Sequence, residues 1–176
     1  VTLYWKLPVI PIAADSPTVA KVRAASFDSY LSGTSHFWEA ILQKGIDIEV
    51  PEAKVNNTFK TSLIYCLIAR SKIGDDYVQT VNQLNYHAFW LRDVSNITRM
   101  YDLSGYPQYA AQVLRFFPRW QQPDGNFVSQ GGQFDGVGQT LWIYGAHYRI
   151  THDQAFADSV FPSVVKAVQW IQQATQ

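Results

Sequence analysis

Two short stretches concentrate the side chains that suit a polar ligand. The first is Tyr86-His87-Ala88-Phe89-Trp90-Leu91-Arg92-Asp93. An arginine followed directly by an aspartate places planar donors beside an acceptor, the combination that reads a polyhydroxylated molecule. Trp90, two residues earlier, offers a flat apolar wall. The second is Gly131-Gly132-Gln133-Phe134-Asp135-Gly136-Val137-Gly138. Here Gln133 and Asp135 are the polar groups, Phe134 lies between them, and the glycines allow the backbone to approach a ligand or a neighbouring helix. Each reading has a structural counterpart. Asp93 and Asp135 stand where helices begin, and a carboxylate there caps backbone N–H groups and meets the positive end of the helix dipole. Trp90 suits a core equally well. The glycine spacing is not that of a dinucleotide-binding turn, and no strand precedes it.

The elements that must position these residues are helical by period. A helix is predicted from Ser35 to Lys44, ended by Gly45. After the extended Ile46–Val50, Pro51 opens a helix to about Arg70, whose second half, Leu63 to Ala69, is apolar on every side and therefore expected to be buried all round. Ser71 to Tyr86 reads as a loop with room for a short strand. A helix follows from about Asp93 to Gly105. Pro107 opens the next, with Tyr106, Tyr109, Ala110, Val113, Phe117 and Trp120 as its buried stripe. Gln122-Pro123-Asp124-Gly125-Asn126 is turn chemistry. A helix then runs from Asp135 or Val137 to about Ile150, and a last one covers Asp153 to Ala174, with a break near Pro162 and a stripe of Phe161, Val164, Val165, Val168 and Ile171. The pattern is an all-α chain of about six helices in consecutive antiparallel pairs, one member of each pair inner and one outer. Residues 1–33, with Val1-Thr2-Leu3-Tyr4-Trp5 and the proline-rich Leu7-Pro8-Val9-Ile10-Pro11, read as an extended N-terminal connector from an upstream domain. Residues 34–176 read as the helical domain.

Composition narrows the field. With 176 residues, 47% of them hydrophobic, the chain suffices for a domain with a core. Only 16% are charged and the formal net charge is +0, so no basic stripe exists to neutralise a nucleic-acid backbone. No apolar run approaches the roughly 18 residues that a membrane helix needs. Neither nucleic acid nor membrane is an expected partner. The single cysteine, Cys66, reads as a small core residue. His36, His87, His147 and His152 lack close ligand spacing, so no metal site and no cofactor is expected. Asn56-Asn57-Thr58 and Asn96-Ile97-Thr98 match the glycosylation pattern but fall inside helices and read as chance. Aromatic residues reach 15%, which fits either a core of large side chains or surfaces that receive sugar faces.

Trp90-Leu91-Arg92-Asp93 followed by Gln133-Phe134-Asp135-Gly136 resembles the six-hairpin glycosidases, the group of glucoamylases, trehalases, glycogen-debranching-type enzymes and α-L-rhamnosidases that share an (α/α)6 barrel. The likeness runs from about Tyr86 to Trp170, about half of the chain. It implies consecutive helical hairpins forming about half of such a toroid. It further implies a glycoside hydrolase acting on an α-linked oligo- or polysaccharide with inversion. In glucoamylase-like members the Arg-Asp pair grips the non-reducing-end sugar, so the resemblance makes Trp90, Arg92, Asp93, Gln133, Phe134 and Asp135 substrate-binding candidates.

The catalytic pair is not identified. Inverting members use a carboxylic acid and a carboxylate base, and by the family's order both are expected beyond Gln176. The only glutamates, Glu39, Glu49 and Glu52, precede the motif and read as surface or capping residues. Half a toroid leaves apolar helix faces uncovered, so the remainder of the same polypeptide or a partner subunit is an expected partner, beside the carbohydrate itself. Two other readings stay open: a non-catalytic carbohydrate-binding α/α domain, and a helical toroid scaffold that binds protein or an isoprenoid. The second is disfavoured because Asp75-Asp76 is the only adjacent carboxylate pair available for a diphosphate's magnesium.

Overall fold

The computed structural model describes residues 3, 5–8 and 10–176. Val1, Thr2, Tyr4 and Val9 of the expected extended start lie outside the described residues. The chain is all-α, with seven α-helices, one 3-10 turn and one two-stranded hairpin among the described residues. It divides into two compact units, Val1–Gln43 and Lys44–Gln176.

In the first unit the extended connector expected over 1–33 is helical from Pro17 on. Helix α1 (Pro17–Ala24) starts where Pro17 takes the first helical position and the Ser16 hydroxyl accepts the Thr18 N–H. Helix α2 (Phe27–Leu42) starts eight residues before the predicted Ser35, because Ser26 caps it by accepting the Ser29 N–H at 3.4 Å. No proline interrupts Phe27–Thr34, so the helical period extends back to that cap.

In the second unit, α3 (Ala53–Ile68) follows the extended Ile46–Val50. Its apolar second half is not buried all round: Leu63 and Ala69 are buried, whereas Tyr65 and Ile68 are exposed. A helix is covered only where a neighbour packs, and α3 makes its main contact with the hairpin that follows. Strands β1 (Arg70–Ile73) and β2 (Asp76–Gln79) pair antiparallel, with Arg70 opposite Gln79. The loop read at Ser71–Tyr86 is thus half strand. Gln79 is fully buried, and its amide is satisfied: it donates to the Cys66 and Thr80 carbonyls and accepts the Tyr101 hydroxyl at 2.8 Å. Arg70 bonds Gln112 and lies over the rings of Tyr77 and Tyr109, and burial pulls its guanidinium below its ordinary value. Cys66 is partly buried, which pushes its thiol up.

Helix α4 (Leu91–Leu103) starts two residues before the predicted Asp93, with Trp90 at its cap position. Helix α5 (Pro107–Leu114) and the 3-10 turn Phe117–Trp120 carry the stripe read from the sequence, with Tyr106, Ala110, Val113 and Phe117 buried. Helix α6 (Gly136–Thr151) ends at His152, which adopts the left-handed conformation. Helix α7 (Gln154–Ala174) is continuous through Pro162, which sits on its exposed side, so the expected break does not occur. Its stripe differs in part. Phe156, Val160 and Ala167 are buried and Val164 and Ile171 of the expected stripe pack against the core, whereas Phe161, Val165 and Val168 are exposed. The helix carries two apolar rows, and only one meets the core.

Helices α4 and α6 run side by side in the same direction. Leu91 meets Gly136 at their starts, and Asp102 meets His147 near their ends. A Cβ at Gly136 would stand 2.3 Å from the Phe127 carbonyl oxygen and 2.9 Å from Leu91 Cδ1, so the segment that carries Phe127 passes this close to the start of α6 only with glycine there. At the far end Asp102 and His147 form a fully buried pair, Oδ1 to Nδ1 at 2.7 Å. Aromatic rings fill the space behind them. Phe89 stacks on Trp120 at 5.2 Å and meets Phe117 edge-on, and Tyr144 and His147 both pack edge-on against Phe156. Much of the aromatic surplus is therefore core.

Gly136→Ala forces the methyl group into a backbone carbonyl, and we expect about 1–3 kcal/mol of lost stability in chemical denaturation. An unchanged midpoint would show that the Phe127 segment yields freely. Asp102→Ala strips the buried partner from His147, with an expected loss of about 3 kcal/mol or more, most of it recovered when both residues become apolar ones of similar volume. A single-variant loss below about 1 kcal/mol would contradict a structural role for the pair.

Candidate functional site

The starts of α4 and α6 lie together, and there the two polar stretches of the sequence meet. Arg92, in the first turn of α4, donates from Nε to Oδ2 of Asp135, which occupies the cap position of α6. Neither aspartate acts as the cap that its position suggests. The Asp135 side chain accepts no N–H of its own helix and faces Arg92 instead. Asp93 lies inside the first turn of α4, past the cap position held by Trp90. There its charge still favours the positive helix end.

The pair is open to solvent: the Arg92 side chain is 55% exposed and that of Asp135 31%. Its electrostatics are mutual. The bond to Asp135, and then the charge of Asp135, push the Arg92 guanidinium up, with a smaller push from Asp93. The bond from Arg92 holds the Asp135 carboxyl below the usual carboxylate value. Asp135 is thus ionised at neutral pH and suited to accept hydrogen bonds, not to deliver a proton.

The other candidates flank this pair unequally. Trp90 is half-buried, and its ring lies 5.3 Å from that of Tyr86, tilted by 51°. The loop before them folds on itself through Asn82, which accepts the Leu84 N–H and donates its backbone N–H to the Tyr86 carbonyl. Gln133 is half-buried on the turn before α6, where Gly132 takes a positive φ. Phe134 is 84% exposed. The structure therefore brings Arg92 and Asp135 into contact, sets Trp90 against Tyr86, and places Gln133 and Phe134 on the adjoining loop without a contact to Arg92.

Two positioning features had no signature in the sequence. Ser129 accepts the Leu91 N–H at 3.0 Å in a buried setting. Gln121 donates to the Gly125 and Ser163 carbonyls, which ties the turn at Gly125 to α7. Nothing in local spacing announces either bond, because each joins distant segments. Among the described residues no group of three or more His, Cys, Asp or Glu is placed to hold a metal ion, and no helix is long and apolar enough to cross a membrane.

Comparison with known proteins gives one informative relationship. No family model matches the chain, and no solved structure matches it. Over 150 residues it is 26% identical to a protein of Methanocaldococcus jannaschii named as an uncharacterized glycosyl hydrolase, covering 77% of this chain and 24% of that protein. The chain thus spans about a quarter of the length of the curated relative it matches. At this distance the relationship supports a glycoside hydrolase-like character in general terms.

The lowered Asp135 carboxyl fixes the sign of a pH effect. Its ionised form is favoured in the folded chain, so the pair contributes fully above the ordinary carboxylate value of about 4 and is lost as pH falls through the lower folded value. The stability difference between the unaltered chain and Asp135→Asn should be flat from about pH 5 to 7 and vanish in stronger acid. A difference that instead disappears between about pH 6 and 8 would assign the effect to another group.

Proposed function

We propose that this chain supplies the sugar-binding rim of a glycoside hydrolase of the six-hairpin type, acting on an α-linked oligo- or polysaccharide with inversion. The observation that carries the proposal is the meeting of Arg92 and Asp135, from two separate segments, at the shared open end of two parallel helices. The remote likeness to a protein named as a glycosyl hydrolase supports the same reading.

In this reading Arg92 and Asp93 hold sugar hydroxyls as donor and acceptor. Asp135 keeps the guanidinium charged and oriented, and the Trp90–Tyr86 ring pair faces an apolar side of the sugar. Gln133 and Phe134 border the same opening. Catalytic acid and base are not assigned. The exposed row Phe161, Val165 and Val168 is, in the same reading, covered by the remaining hairpins of a longer polypeptide or by a partner subunit, in keeping with a relative of which the matched region is 24%.

Titration with maltose, rhamnose and an iminosugar glycosidase inhibitor tests the rim. Binding of at least one is expected, weakened about tenfold or more in Arg92→Ala and in Asp93→Asn, in line with the loss of a charge-assisted hydrogen bond. Binding that survives both substitutions would move the site elsewhere, and failure of all three ligands to bind the intact polypeptide would sink the proposal.

A further inference from the structure

Helix α4 lacks a cap of its own. A helix usually opens on Ser, Thr, Asp or Asn, whose side chain receives a first-turn N–H. Here Trp90 holds that position and supplies no acceptor. The Leu91 N–H is received instead by the Ser129 hydroxyl, 38 positions along the chain. Leu91 is 1% exposed and Ser129 9%, so water has little access to replace the bond.

The placement of Ser129 gives this bond a second consequence. Ser129 follows the bridge between Gln121 and Phe127 and lies on the segment that ends in Asp135. That segment is pinned at Phe127, whose carbonyl lies against Gly136. One hydroxyl therefore ties the first turn of α4, which carries Arg92, to the segment that carries the partner of Arg92.

We propose that Ser129 is a positioning residue: its bond to the Leu91 N–H sets the first turn of α4 so that Arg92 meets Asp135. Its bearing on ligand binding rests on the sugar-binding reading above; the positioning itself needs no sugar. A merely structural serine would lower stability when removed and leave the ion pair as it was. A positioning serine changes the pair.

The intact polypeptide and its Ser129→Ala and Ser129→Thr variants distinguish these by NMR. In Ser129→Ala the Leu91 amide should exchange about tenfold faster, and the Asp135 carboxyl should titrate closer to its ordinary value. Affinity for whichever of maltose or the iminosugar binds the unaltered chain should fall about fivefold. Ser129→Thr, which keeps the hydroxyl, should restore all three. Should Ser129→Ala fail to fold, Ser129→Cys keeps the size, weakens the acceptor and reads the same quantities. An Asp135 titration unchanged in the alanine or cysteine variant overturns the proposal, whatever happens to stability. A chain that binds no sugar, but whose Asp135 titration moves with Ser129, retains the positioning and refutes the proposed function alone.

Discussion

Close parallel packing of α4 against α6 is the constraint on which the rest of the second unit depends. At the start of α6 the missing side chain of Gly136 leaves room for the Phe127 carbonyl and for Leu91 of α4. Once the starts of the helices are pressed together, everything carried on their first turns is held at one end. Once their later turns are in register, Asp102 and His147 meet at the other. Aliphatic side chains of α5 and the rings of Phe89, Phe117, Trp120 and Phe156 fill the space behind this pair of helices.

The two carboxylate contacts along that helix pair differ in kind because they differ in hydration. Asp102 and His147 are out of water, so removing either one strands the other in a low-dielectric interior. Arg92 and Asp135 are open, and solvent screens them, so their contribution to stability is small. Their effect is on state and orientation: both stay charged, and the guanidinium is held from one side while remaining accessible. That is an arrangement for recognising hydroxyl groups. It is poorly suited to proton transfer, since a carboxyl held low by an arginine gives up no proton near neutrality.

The signals legible in the sequence were the local ones. Gly45, Pro107, Asp153 and the turn at Gly125 mark helix ends and turns by their own backbone chemistry, and the structure places boundaries at or near each. The polar stretches around Arg92 and Asp135 are identifiable because each groups donors, acceptors and a large aromatic ring within a few residues. What misled was burial. The apolar second half of α3 and the row Phe161, Val165 and Val168 on α7 look buried by composition, yet burial depends on a neighbour, which no helical period can specify. Helix α1 and the first half of α2, 27–34, have no such signal for the opposite reason: their capping serines, Ser16 and Ser26, are common residues with weak individual signals.

By itself, then, the sequence determined the helical character, most turn positions and the identity of the polar groups, since each follows from side-chain and backbone preferences acting over a few residues. The tertiary structure decided what those groups do. Both aspartates could have capped helices. Asp135 turned to Arg92 because parallel packing brought an arginine within reach, and the first N–H of α4 found its acceptor in Ser129, on another segment. Such choices rest on contacts between segments some forty residues apart, and only the folded chain sets those distances.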